Sequence, residues 1–150
     1  MKLAEALLLR GDVQKKVVSL RARIERNGLV QEGNAPHEDP NALLKEAHGV
    51  IEELEGLVKS INLANLKHTL PDGRTLTEAI AKRDSLVQWH SLLQAAISST
   101  QREPDRYSVR EIRWVATLDT ASLQKQVEDL AKKIREINAL IQETNWKVEL

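Results

Sequence analysis

The sequence has no cysteine and no phenylalanine, and its aromatic residues are Tyr107, Trp89, Trp114 and Trp146. The missing thiols exclude disulfides, thiolate catalysis and cysteine–zinc centres. They fit a reducing compartment, so the chain is read as cytoplasmic. Charge of one sign is missing too. The 22 basic residues balance 22 acidic ones, so no global field draws the chain to nucleic acid or an anionic membrane. No apolar run approaches the ~18 residues of a membrane-spanning helix. The opening "MKLAEALLLRGD" is broken by Glu5 and closed by Arg10 and Asp12, so no signal peptide is read there. Six glycines scattered over turns build no phosphate cradle. His-Glu-x-x-His, Gly-x-Ser-x-Gly and the P-loop are all missing, and no catalytic residue or cofactor is assigned.

What is present is aliphatic and charged: Leu, Ile, Val and Ala, with 29% charged residues, the composition of long helices and coiled coils. Apolar residues step by three and four along four segments, the signature of helical seams. The first runs from about 3 to 26, with Leu3, Ala6, Arg10, Val13, Val17, Leu20 and Ile24 in its seam. The second spans about 40 to 66, opens on Asp39-Pro40, and has Leu43, Ala47, Val50, Leu54, Leu57, Ile61 and Ala64 in line. A second row on it, Leu44, Ile51 and Val58, predicts a wide buried face. The third, about 76 to 100, starts with the capping box Thr75–Glu78 and carries Leu76, Ala79, Arg83, Leu86, His90, Leu93 and Ile97. From Ser85 to Gln101 it has no formal charge, which predicts a helix covered on several sides, by its own chain or by a neighbour. The fourth, about 120 to 144, follows Asp119-Thr120 and runs Leu123, Val127, Leu130, Ile134, Ile137, Ile141 and Thr144. The fold class is therefore mainly α. At 150 residues the chain is expected to be a single domain, an elongated antiparallel four-helix bundle or a pair of helical hairpins with coiled-coil-like seams.

Two stretches break the helical pattern. In "YSVREIRWVATLD", Ile112, Trp114, Ala116 and Leu118 alternate with Arg113, Val115 and Thr117, which predicts a strand over 111–118. "NWKVEL" at 146–150 carries a weaker version. A lone strand cannot satisfy its own backbone. The expected partner of 111–118 is the tail at Trp146 to Leu150, or the same strand of another subunit. Ile112, Trp114, Ala116, Leu118 and Trp146 are thus the candidate assembly residues, and the chain is expected to form a homo-oligomer.

Polar residues at or beside the seams form the other candidate set: Arg10, Asn62, Asn65, Arg83, Asp84, His90, Gln142 and Asn145. Three readings stand. They line a pocket in which an Arg and a His bind an anion. They fix helix register, since a polar residue in a seam excludes wrong alignments at a cost in stability. Or the seam is partly open and Arg83 lies along it on its aliphatic stem.

Charge also divides between helices. From Arg10 to Arg26 the first is basic; from Glu38 to Lys59 the second is acidic. Their juxtaposition explains both without a nucleic-acid partner. His48 and Glu52 share a helix face but have no third ligand in sight, so no metal is assigned.

The segments "MKLAEALLLRGDVQKKV", "LVQEGNAPHEDPNALL", "INLANL", "DGRTLTEAIAKRD", "YSVREI" and "LQKQVEDLAKKIREINALIQETNW" together resemble a group of small bacterial helical proteins of unknown function, some of them labelled septicolysin. The resemblance covers nearly the whole chain; where the group usually has Thr, this chain has Ala64. It implies a bacterial, cytoplasmic-type helical protein, and the label implies a membrane-active cytolysin. The residues themselves favour a non-enzymatic, self-associating structural or interaction protein. A cytolysin, or a bundle binding a small anion at Arg83 and His90, are the alternatives.

Overall fold

A computed structural model of the chain describes residues 1–101 and 112–150. Its elements are α1 (Leu3–Asn27), α2 (Pro40–Lys67), α3 (Leu76–Ser99) and α4 (Thr120–Lys147). The starts are chemically marked. Asp39 Oδ1 accepts the Asn41 N–H at 2.9 Å, with Pro40 in the first turn of α2, where a missing N–H costs nothing. Thr75 and Glu78 cap α3 reciprocally: Thr75 Oγ1 accepts the Glu78 N–H at 3.2 Å and the Glu78 carboxylate accepts the Thr75 N–H at 2.7 Å. At α4, Asp119 Oδ1 accepts the Ser122 N–H at 3.2 Å.

The chain divides into two compact units, Met1–Thr69 with Gln142–Leu150, and Leu70–Ile141. In the first, α2 runs back along α1. Val13, Leu20, Leu43 and Val50 form the core, flanked by Leu9, Val17, Ile24, Ala47, Leu54 and Leu57. Apart from Leu9, these are the seam positions of both helices, so the stripe legible in the sequence is the one that packs. The opposite charges of the two helices meet across the seam: Lys16 Nζ lies 3.1 Å from Glu46, and the Arg23 guanidinium grips Glu38 through Nε at 3.0 and 3.2 Å and through Nη2.

The expected wide face of α2 does not form. Leu44, Ile51 and Val58 are exposed. They sit about 100° round the helix from the seam, where the described residues leave them open.

The N-terminus of α1 is held by the other end of the chain. Lys2 and Glu149 form an isolated antiparallel bridge. The Leu3 N–H donates to Val148 O at 2.9 Å and the Leu150 N–H donates to Met1 O at 3.0 Å. Lys2 Nζ lies 2.6 Å from the Glu149 carboxylate.

In the second unit, "LPDGRT" closes a turn before α3. Leu70 exchanges backbone hydrogen bonds with Gly73 and Arg74, and Gly73 adopts a φ of 88°, the left-handed conformation that glycine takes without strain. Leu93, Val127 and Leu130 form the core, with Leu86, Ile97 and Leu123 packed on it. The described residues of the single chain do not cover the uncharged part of α3 on several sides. It buries this one stripe and leaves Val87, Trp89 and Leu92 exposed.

Neither expected strand is present among the described residues. Residues 112–116 belong to no helix or strand, and 117–118 form a bend; Glu111 lies outside the described residues. Alternation alone supplies no ladder of hydrogen bonds. At the tail the helix wins. The seam of α4 continues through buried Thr144, so Trp146 is helical, and the Val148 N–H donates to Thr144 O at 3.0 Å, satisfying the backbone internally. Among the described residues, Glu149 takes part in a single bridge, to Lys2, and not in a strand.

Candidate functional site

The polar seam residues fall into separate surroundings. Arg10, Asn62, Asn65, Gln142 and Asn145 belong to the first unit; Arg83, Asp84 and His90 belong to the second. Asn145 is buried, Arg10, Asn65 and His90 are half-buried, and Asn62 and Gln142 are exposed. Within the set, the hydrogen bonds are those from Arg83 Nε and Nη2 to Asp84 Oδ1, at 2.9 and 2.7 Å. Arg83 thus spends its fork on its own neighbour at the protein surface. On α1, Arg10 presents an Nε that is sealed from solvent and has no hydrogen-bond partner. A buried donor in that state opposes folding.

A polar cluster that periodicity did not single out closes the α1–α2 connection. Asn27 is buried; its Nδ2 donates to Arg23 O at 2.8 Å and its Oδ1 accepts the Glu38 N–H at 3.0 Å. Gly28 is the C-cap of α1, right-handed at φ −76°, and the side chain of Asn27 pins Glu38. The hydrogen bond from Arg23 holds the Glu38 carboxyl below its ordinary range, and the carboxylate in turn raises Arg23. The detectable signal is Arg23 and Asn27 four apart on one helix face, ahead of an acid at the next helix start.

His48 Nδ1 lies 3.8 Å from Glu52, while Glu46 is engaged by Lys16. Among the described residues no group of three or more His, Asp or Glu is placed to hold a metal ion. No described helix is long and apolar enough to cross a membrane.

The most conspicuous surface is the segment before α4. Ile112, Trp114 and Val115 are 79%, 73% and 75% exposed, and Leu118 is exposed as well. Ala116 shares that exposure, and Trp146 is exposed near the end of α4. Leaving this many large apolar side chains in water within seven residues forgoes about 1.5–3 kcal/mol of burial for each one. Isolated apolar residues on a surface are ordinary; a run of them marks a contact.

A family model described as a family of unknown function, DUF6847, matches residues 10–150. The crystal structure of a conserved protein from Corynebacterium diphtheriae, described as functionally unknown, superposes with a TM-score of 0.93 at 34% identity, covering 100% of this chain and 98% of that one. None of the curated proteins compared matches the chain.

Proposed function

We propose that this chain, which belongs to the family of unknown function DUF6847, is a non-enzymatic helical interaction protein that works as a homo-oligomer. The observation that carries this reading is the apolar run Ile112, Trp114, Val115 and Leu118, held out in solvent ahead of α4. Each chain carries the same run, so a two-fold contact buries two copies at once. Tryptophan supplies the large, stiff contact area that anchors such interfaces. Trp146 and the uncharged exposed face of α3 at Val87, Trp89 and Leu92 offer further apolar area to the same assembly.

The test is the mass in solution, by light scattering coupled to gel filtration at micromolar concentration. The wild type is expected at twice the chain mass of 16.9 kDa or more. The double variant Ile112→Ser, Trp114→Ser is expected to fall toward the monomer with unchanged helix content by circular dichroism. A wild type that runs as a monomer across the micromolar range refutes self-association. A double variant that keeps the oligomer moves the contact away from this segment.

A further inference from the structure

We propose a second capacity, independent of self-association: a binding site for a small amphipathic monoanion, a carboxylate carrying a short hydrocarbon body, between α3 and α4. A cavity of about 250 Å³ opens there. Leu86 of α3 with Ile137 and Leu140 of α4 supply its apolar lining, and Arg74, Lys82 and Lys133 stand around it.

The register explains how cations come to surround an apolar floor. Lys82 lies three residues after Ala79 and four before Leu86, so it flanks the stripe of α3 that faces α4. Lys133 lies three and four residues before Glu136 and Ile137, and seven before Leu140, on the matching side of α4. Lys82 and Lys133, both exposed, border the same hydrophobic groove, where a carboxylate can pair with them. Neighbouring cations do have theirs: Arg74 holds Asp72 at 2.5 Å, and Lys132 lies 4.0 Å from Glu136. Among the described residues Lys82 and Lys133 have no ion-pair partner. They are the two uncompensated charges of the cavity, and an anion bridging them makes two charge-assisted hydrogen bonds.

The rest of the lining narrows the ligand. Glu136 also borders the cavity, and its charge disfavours a dianion such as phosphate. The apolar floor rewards a hydrocarbon body at roughly 25 cal/mol per Å² covered. The volume lies just below the ~300–1,000 Å³ of sites for drug-sized ligands, so the guest is small. Arg83 and His90 are not part of the lining, so the site sits beside the position that seam polarity suggested.

The experiment is calorimetric titration of the full chain with hexanoate, 1-hexanol and inorganic phosphate as separate probes at low salt. Hexanoate is expected to bind saturably. Hexanol and phosphate, which each lack one half of the recognition, are expected to bind at least tenfold more weakly. Lys82→Met and Lys133→Met are each expected to weaken hexanoate about tenfold, the loss of one charge-assisted hydrogen bond. Lys125→Met, on α4 outside the lining, is expected to leave it unchanged. Circular dichroism checks each fold, with Lys82→Gln replacing any Met variant that misfolds. The proposal is overturned if hexanoate shows no saturable binding, if hexanol equals it, if phosphate equals it, or if the Lys82 and Lys133 variants bind as the wild type does.

Discussion

Replacing Arg10 by Met is expected to stabilise the protein. Nε of Arg10 is sealed from water and bonded to nothing. An unsatisfied buried donor costs about 1–3 kcal/mol relative to a paired one. Methionine keeps an unbranched stem of similar reach, so the packing contributed by the aliphatic part of Arg10 is largely retained while the donor disappears. The side chain is only half-buried, so part of the guanidinium keeps its hydration in the wild type, and the relief falls at the low end, about 1 kcal/mol. For a chain of this length that corresponds to a rise in Tm of roughly 2–4 °C. Differential scanning calorimetry reads the shift, and a urea titration checks that the midpoint moves without a change in slope. Arg10→Ala is the companion, since it removes the stem as well as the donor and should gain nothing. A fall in Tm of similar size for Arg10→Met would refute the reasoning, because it would mean that the guanidinium makes an interaction the fold depends on. If Arg10→Met also broadens the oligomer distribution while raising Tm, the residue acts in register control.

Two further outcomes test the fold directly. Leu20→Ala, at a fully buried seam position, is expected to cost about 2–5 kcal/mol in urea unfolding, whereas Leu44→Ala, on the exposed second row of α2, is expected to cost under about 1 kcal/mol in the monomer. A large loss at Leu44 in the monomer would show that the row is covered. Acid is expected to lower Tm below pH about 4.5, the ordinary value of the Glu38 carboxyl, which Arg23 holds lower in the folded protein. A depressed carboxyl contributes stability that is complete above its unfolded value and lost as pH falls through its folded one. Asp72 beside Arg74 and Glu149 beside Lys2 act in the same direction. Glu38→Gln should lower Tm at pH 7 and make the acid slope shallower; an unchanged slope would remove Arg23–Glu38 from the account.

The helices were legible because their signals are local and repeated. The α2 seam from Leu43 to Ala64 is the stripe that is buried or half-buried, and Asp39-Pro40 and Thr75–Glu78 mark helix starts by chemistry that acts within one turn. What periodicity does not tell is whether anything lies opposite a given stripe. Leu44, Ile51 and Val58 have the spacing of a core row, and the charge-free part of α3 has the composition of a covered helix, yet both are exposed in the single chain. The alternation at 112–118 likewise states a preference without a partner. The Asn27 cluster and the Lys2–Glu149 bridge depend on loop closure and on residues 147 apart in sequence, which no window along the chain detects. Lys82 and Lys133 carry no sequence signal for the converse reason. Lysines are expected in solvent, and only the placement of two of them over one apolar groove gives them meaning.

The bridge between Lys2 and Glu149 has a consequence for how the chain can be rearranged. Because Leu3 bonds to Val148 and Leu150 to Met1, residues 1–150 form in effect a ring closed by hydrogen bonds. The order of the helices then matters less than their cyclic sequence. Joining the present ends with a few flexible residues and opening the ring in the exposed stretch between α1 and α2, at 29–36, would give the order α2, α3, α4, α1 with the same neighbours. In that permutant the Lys2–Glu149 contact becomes local, whereas the α1–α2 seam, closed in the natural order across one short connection, must be closed across the whole chain.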